Sequence, residues 1–318
     1  MCKVIICDLD HKDIVQELEV LNNAGLDVKW LHCKTQDEVI ENCKGAVVLL
    51  NQYVKMDKKI FEALPTVKCV IRYGVGYDNI NLNDARAYGV QACNIPDYGT
   101  REVADQALAH MMNLVRKISF TNTLIRQGTW DYRKSIPIFR MSDAVVGICG
   151  VGRIGTAFAQ RVRPLCKRII AYDSDYGKAG RSFPDFVDFV SFDELLSQSD
   201  VLSVHCPRSD ETYHLFSKDA FAKMKSTSYF INVSRGGIVD EDALFGALKD
   251  EQIAGAALDV VEHEPLASDS PMLTLPNFSI SPHSAWYSEQ SAVELKRKAA
   301  EEAVRFIKGE ALKYSLTN

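Results

Sequence analysis

The stretch that most constrains this chain runs from Val145 to Gly155 and reads Val-Val-Gly-Ile-Cys-Gly-Val-Gly-Arg-Ile-Gly. The residues before Gly150 suit a strand buried on both faces. The run then breaks into glycines at 150, 152 and 155. Beyond it, Ile154, Ala157, Phe158, Arg161 and Val162 recur at helical spacing, and Pro164 marks a stop. In a strand–turn–helix of this kind the three glycines allow a tight turn, close approach of backbone to a pyrophosphate, and close contact of helix with strand. The first N–H groups of the helix then face the phosphates.

Such a glycine pattern also arises by chance, so its neighbours decide it. A second strand, Arg168–Asp173, ends in an acid 21 residues after Gly152. A carboxylate there accepts hydrogen bonds from an adenosine ribose and repels a 2′-phosphate, which favours NAD over NADP. A strand-end turn is the plainer role for Asp173, and the upstream glycines weigh against it. Lys178 and Arg181 follow closely enough to sit near the 2′ position.

Composition narrows the rest. A formal net charge of -5 provides no basic surface, so nucleic acid is not an expected direct partner. No apolar run approaches membrane-spanning length, and the N-terminus reaches an acid too early for a signal peptide. The nine cysteines, at 2, 7, 33, 43, 69, 93, 149, 166 and 206, form no Cys-x-x-Cys pair and no cluster with histidine at zinc-ligand spacing. They read as free thiols, most of them buried, in a reducing cytoplasm, and no metal is expected.

In chain order, residues 1–98 alternate strands (Lys3–Cys7, Val28–Leu31, Ala46–Leu50, Val67–Ile71, Val90–Cys93) with helices over Lys12–Asn23 and Asp57–Leu64. Thr35 and Glu38 make a capping-box pattern for another helix. This alternation predicts a parallel sheet covered by helices. Asp8-Leu-Asp10 reads as a strand-end turn. After the fourth strand, Gly74 and Gly76 allow backbone N–H groups to face a ligand, and Arg72 offers a charge-assisted contact to a carboxylate. A simple strand–helix turn would use the same glycines.

A turn-rich hinge follows at residues 94–99. A long helix is predicted from Thr100, its apolar face formed by Val103, Ala104, Ala107, Leu108, Met111, Leu114, Val115 and Ile118 and continuing through Leu124 and Ile125 to Gly128. The segment Trp130–Met141 carries Trp130, Tyr132, Ile136, Ile138 and Phe139 with no clear period, which predicts burial in a homodimer interface formed around residues 100–142. From 144 a second α/β unit begins, with strands Ala144–Cys149, Arg168–Asp173, Val201–His205, Tyr229–Val233, Gly255–Val260 and Phe278–Ser281. The last four end in His205, Ser234-Arg235, Asp259 with Glu262 and Glu264, and His283. In an open parallel sheet ligands sit beyond the carboxyl ends of strands. Residues 288–308 read as an amphipathic helix (Val293, Leu295, Ala299, Ala303, Phe306, Ile307) that packs back on the first unit. The expected domains are 1–98 plus 287–318, and 99–286.

Five ordered motifs now stand together: Gly150-x-Gly-Arg-Ile-Gly155, His205-Cys-Pro207, Asn232-Val-Ser-Arg-Gly-Gly237, Leu258-Asp-Val-x-x-x-Glu264-Pro265 and Ser281-Pro-His283. The chain resembles the D-isomer-specific 2-hydroxyacid dehydrogenases over nearly its whole length. Within them, His283-Ser-Ala-Trp-Tyr-Ser-Glu289 is similar to the C-terminal binding protein branch, NADH-binding corepressors. The resemblance implies an α/β fold of two doubly wound parallel-sheet domains, a Rossmann NAD-binding domain and a smaller flavodoxin-like substrate domain.

It further implies NAD(H) as cofactor and a small 2-keto or 2-hydroxy acid as substrate. Arg235 would grip the substrate, His283 would be the general acid/base, and Glu264 would orient it. Gly74, Val75 and Gly76 would bind the carboxylate, with Arg72 nearby. Gly150, Gly152, Arg153, Ile154, Gly155, Asp173, His205, Cys206, Pro207, Val233, Ser234, Arg235, Asp259, His283, Trp286 and Val75 would line the cofactor, with Asp259 on the nicotinamide carboxamide. The chemistry agrees: histidine suits a proton step near neutrality, a nearby carboxylate favours the imidazolium, and arginine suits a planar carboxylate. Glu262 rivals Glu264. His214 and His263 read as solvated, and His110 as packing.

Trp286 places an indole three residues past His283, which predicts an apolar or aromatic-tolerant keto acid over a phosphorylated one. Two other functions stay open: an NADH-sensing corepressor-type binding protein with weak dehydrogenase activity, and a 3-phosphoglycerate dehydrogenase.

Overall fold

A computed structural model describes residues 3–317; Cys2 lies outside them. The chain divides into two units, Met1–Gly99 with Ser288–Asn318, and Thr100–Tyr287.

The first unit holds strands β1 (Val4–Ile6), β2 (Val28–Trp30), β3 (Val48–Asn51), β4 (Cys69–Arg72) and β5 (Gln91–Cys93). All pair in parallel, in the order β2-β1-β3-β4-β5, which is the flavodoxin-like order. Helices α1 (Val15–Asn23), α2 (Gln36–Asn42), α3 (Lys58–Ala63) and α4 (Leu82–Ala87) cover it. Strands β1 and β3 are buried end to end, as strands covered on both faces must be. Side chains start the helices: Asp57 accepts from Lys59 N–H, and Asn81 accepts from the N–H groups of Asn83 and Asp84.

The capping box is only half formed. Thr35 accepts from Glu38 N–H, but the Glu38 carboxylate takes the N–H of Lys34 instead of Thr35. The first helix starts at Val15, three residues later than its pattern suggested. Asp8 is more than a turn residue. Its buried carboxylate collects the N–H groups of Gln52, Tyr53 and Val54 and the Asn51 amide, pinning the loop after β3.

The second unit begins with α5 (Thr100–Arg116) and α6 (Ile118–Arg126). These replace the single helix predicted to Gly128. Lys117 has φ 53° and breaks the helix, and Ile118 is thereby exposed. The apolar period continued across the break, so the pattern concealed it. Val103, Ala104, Ala107, Met111, Leu114 and Val115 of α5 are buried, and the helix packs on the sheet of its own unit.

There follow β6 (Val145–Cys149), α7 (Arg153–Val162), β7 (Arg168–Tyr172), β8 (Asp188–Phe189), α8 (Phe192–Gln198), β9 (Val201–Val204), α9 (Lys218–Ala222), β10 (Tyr229–Asn232), α10 (Glu241–Lys249), β11 (Gly255–Leu258) and β12 (Phe278–Ile280). The seven strands are parallel, in the order β12-β11-β10-β9-β6-β7-β8. Strand order reverses between β6 and β9, the switch point where a Rossmann sheet opens a crevice. Strand β8, an edge strand of two residues, had no sequence signal.

The last helix, α11 (Glu289–Ile307), packs on α1, β3 and β4 of the first unit. Leu295, Ala299 and Ala303 are buried as predicted, whereas Val293 is exposed. Among the described residues no helix is long and apolar enough to cross a membrane, and no cluster of His, Cys, Asp or Glu is arranged to hold a metal.

Candidate functional site

The switch point is built by register. Cys149 at the end of β6 pairs with Val204 at the end of β9, so Gly150 and His205-Cys206 leave the sheet side by side. His205 N–H donates to Cys149 O at 2.8 Å. The three glycines do different things. Gly150 has φ 92°, and a Cβ there would lie 2.6 Å from Cys206 N. A Cβ on Gly155 would meet Gly150 O at 2.1 Å, so this glycine seats α7 against the turn. Gly152 caps α7 with no side chain, and nothing lies within 4 Å of where its Cβ would be. That open space beside the free N–H groups of Arg153, Ile154 and Gly155 fits a pyrophosphate.

Asp173 follows β7. Its Oδ2 accepts from Val151 N–H at 2.7 Å and its Oδ1 from Asp175 N–H at 2.9 Å. The acid therefore braces the glycine turn. Lys178 pairs with Asp175 at 2.8 Å, and Arg181 lies 3.7 Å from Asp175 and 4.0 Å from Asp173. His205 turns inward: its ring lies 5.1 Å from that of Phe158 and its Nε2 2.9 Å from Ser203 Oγ. Burial pushes its pKa down to about 3, so it is neutral. Cys206 packs on Gly150, Pro207 is exposed, Val233 is buried and Ser234 is half-buried.

Farther along the same edge, Ser281-Pro-His283 follows β12. His283 stands in the left-handed region at φ 49°. Its N–H donates to Asp259 O at 2.8 Å and Ser281 O at 3.0 Å. Its Nδ1 lies 2.7 Å from Glu264 Oε2. Burial pushes the Glu264 carboxyl up, yet the hydrogen bond and charge of His283, with Val261 N–H and the charge of Arg235, hold it below its ordinary value. An ionised Glu264 only accepts, so Nδ1 carries the proton and Nε2 is left to give or take one.

Arg235 follows β10. Asn232 shapes that turn, accepting from Ser234 N–H at 3.0 Å and donating to Arg235 O at 2.8 Å. A Cβ on Gly236 would lie 2.0 Å from Val261 O, so the turn presses directly on the loop leading to Glu264. The fold thus gathers Arg235, Glu264 and His283 from three strand ends.

Glu262 is held elsewhere. It accepts from Tyr213 OH at 3.0 Å and lies 3.1 Å from His214 Nε2. His214 is therefore partnered, not merely solvated, while His263 is exposed. Trp286 is partly buried, packs on the core of its unit and meets the Tyr287 ring edge-on at 5.4 Å.

His110 does more than pack. Its Nε2 lies 3.0 Å from Ser281 Oγ, which Gln106 Nε2 also reaches at 3.1 Å. Ser281 Oγ donates to Asp259 Oδ1 at 2.5 Å. The Asp259 carboxylate also accepts from Ser284 and Ala285 N–H, each at 3.0 Å. Gln106 had no sequence signal, and Ser281 stood in the Ser281-Pro-His283 motif without a role of its own.

In the first unit, Arg72 ends β4 and folds its guanidinium over Gly74, whose φ is 130° and whose Cβ would lie 1.7 Å from Arg72 Nη1. Asn94 donates to Val75 O, and Val75 and Gly76 are half-buried. Under this turn, Tyr73 OH donates to buried Glu17 at 3.0 Å.

A Rossmann sheet, a glycine turn shaped for a pyrophosphate and a carboxylate-oriented histidine define a nucleotide-dependent oxidoreductase. Residues 108–285 match the family model "D-isomer specific 2-hydroxyacid dehydrogenase, NAD binding domain". Glyoxylate reductase of Korarchaeum cryptofilum is 36% identical over 280 residues, covering 86% of this chain and 82% of that protein. D-3-phosphoglycerate dehydrogenase of Archaeoglobus fulgidus is 35% identical over 92% of this chain, but only 56% of its own length is matched. The crystal structure of D-lactate dehydrogenase from Aquifex aeolicus complexed with NAD and lactic acid superposes with a TM-score of 0.88 at 25% identity, covering 99% of both chains.

The chain belongs to the D-isomer-specific 2-hydroxyacid dehydrogenase family and is an NAD-dependent oxidoreductase.

Proposed function

We propose that this chain reduces a small 2-keto acid to the D-2-hydroxy acid, and runs the reverse, with His283 as general acid/base. The 2.7 Å contact between His283 Nδ1 and Glu264 Oε2 carries the reading. It fixes the imidazole so that Nε2 delivers a proton to the developing alkoxide. Arg235, beside this pair, grips the substrate carboxylate. Bound here, NADH would supply the hydride. The turn of Gly150, Gly152 and Gly155 would hold its pyrophosphate and Asp173 its ribose, while Ser234, Asp259 and Trp286 would line the nicotinamide end. Within the first unit by itself, Arg72 and the Gly74–Gly76 turn are suited to a carboxylate.

A scan of 2-keto acids followed by NADH absorbance tests this reading. Trp286 predicts faster turnover of 4-methyl-2-oxopentanoate than of phosphohydroxypyruvate. The opposite preference favours a phosphoglycerate dehydrogenase. Tight NADH binding with no turnover of any acid favours a corepressor-type binding protein. The cofactor preference is tested by Asp173→Ala, which is expected to relax discrimination against NADPH. An unchanged NAD/NADP ratio sinks the ribose assignment.

A second copy of this chain covers the exposed apolar residues between Ile118 and Phe139. The eight free cysteines among the described residues support a reducing, cytoplasmic setting.

A further inference from the structure

We propose that His110 is a positioning residue for His283, acting with Gln106 through Ser281 and Asp259. This rests on His283 being the general acid/base. A serine hydroxyl has one proton and two lone pairs. Ser281 Oγ, 2.5 Å from Asp259 Oδ1, gives its proton there. Its lone pairs are then open to donors, and the two atoms at hydrogen-bond distance are Gln106 Nε2 at 3.1 Å and His110 Nε2 at 3.0 Å, themselves 3.4 Å apart. We assign His110 the tautomer with its proton on Nε2, as the second donor to this oxygen. Burial, which lowers its pKa, keeps it neutral in that form. With both donors in place the hydroxyl is saturated, and its rotor is locked toward Asp259.

Asp259 is the clamp that this lock serves. Its carboxylate, 2% exposed, holds the N–H groups of Ser284 and Ala285, and its carbonyl takes the N–H of His283. These bonds bracket a histidine at φ 49°, a conformation uncommon for residues other than glycine. The path from α5 to the turn carrying the imidazole thus runs through the side chains of His110, Ser281 and Asp259 and then through backbone hydrogen bonds at residues 283–285. Without the donor at 110, Ser281 can turn away, Asp259 loses its shortest hydrogen bond, and the turn carrying His283 relaxes. A misplacement of about 1 Å at a reacting group costs up to roughly 100-fold in rate.

The test uses the full chain and the keto acid it turns over best, with His110→Leu, Ser281→Ala, the double variant and His110→Gln. Glutamine keeps a donor near the position of Nε2. The expected result is that each of the first two lowers kcat by about 10- to 100-fold with KM changed by less than about threefold. The double variant is expected to be no worse than Ser281→Ala by more than about threefold, because His110 acts through that hydroxyl. His110→Gln is expected to keep most of the activity. Ser281→Ala removes a single atom, so it and His110→Gln decide the matter even if His110→Leu does not fold. Parental kcat in Ser281→Ala, multiplying losses in the double variant, or a His110→Gln as damaged as His110→Leu overturns the proposal alone. A parent chain that reduces no 2-keto acid overturns it together with the role of His283.

Discussion

Two acids two positions apart, Glu262 and Glu264, show how much a single residue's surroundings decide. Both have depressed pKa values and both sit beside a histidine, but the His214 partner of Glu262 follows no strand end of the site. Glu264→Gln is therefore expected to lower kcat by about tenfold or more, and Glu262→Gln to leave it near the parental value. Equal losses would mean that the loop, not the Glu264 charge, matters. His283→Ala is expected to lower kcat by about 10²–10⁴ while NADH affinity, read by fluorescence titration, stays nearly constant. A comparable loss of affinity would mark a structural role. His205 carries a pH effect of definite sign. Its folded pKa of about 3 lies below the ordinary value of 6.5. Between the two, the unfolded chain binds more protons, so this contribution to stability is complete above 6.5 and falls as pH drops toward 3. His205→Leu, whatever it costs at neutrality, is expected to flatten the dependence of urea stability on pH between 6.5 and 5. An unchanged slope rules out a buried neutral imidazole.

At the scale of elements, the glycine turn separates binding from folding. Gly155→Ala drives a methyl into the carbonyl of Gly150, 2.1 Å away. It is expected to destabilise the unit by about 1–3 kcal/mol and to lower the melting temperature. Gly152→Ala meets nothing within 4 Å and is expected to leave the melting temperature unmoved, yet to weaken NADH binding by filling the pyrophosphate space. Equal effects from both would contradict the division of labour. Most of these elements were legible in the sequence because a parallel strand covered on both faces must be apolar throughout. The turns bearing Arg235 and His283 were legible as polar strand ends on one edge of the sheet. The helix break at Lys117 was not, since Leu114, Val115, Leu124 and Ile125 keep an apolar rhythm across it. Glu262 and Glu264 could not be told apart on a loop without period. His110 and Ser281 are 171 residues apart, and only the packing of α5 on the sheet joins them.

For the whole molecule, the exposed apolar side chains are the observation behind the proposed dimer. Trp130 is 87% exposed, Tyr132 80%, Ile136 61% and Phe139 58%, within ten residues of one another. Ile118 and Ile125 of α6 are also exposed. Large exposed apolar sets of this kind often mark a protein–protein contact. In the proposed assembly a second copy of the chain would cover these residues in a closed, self-complementary dimer. Folding is then linked to association, so stability rises with protein concentration. The melting temperature is expected to increase across a hundredfold concentration range, and sedimentation equilibrium to give twice the 35.5 kDa chain mass. Trp130→Lys together with Ile136→Lys is expected to yield a monomer whose melting temperature no longer depends on concentration. Because these residues lie outside the glycine turn, that monomer should still bind NADH. A parent chain that sediments as a monomer at every concentration, with a constant melting temperature, removes the interface and leaves the aromatic segment without a function.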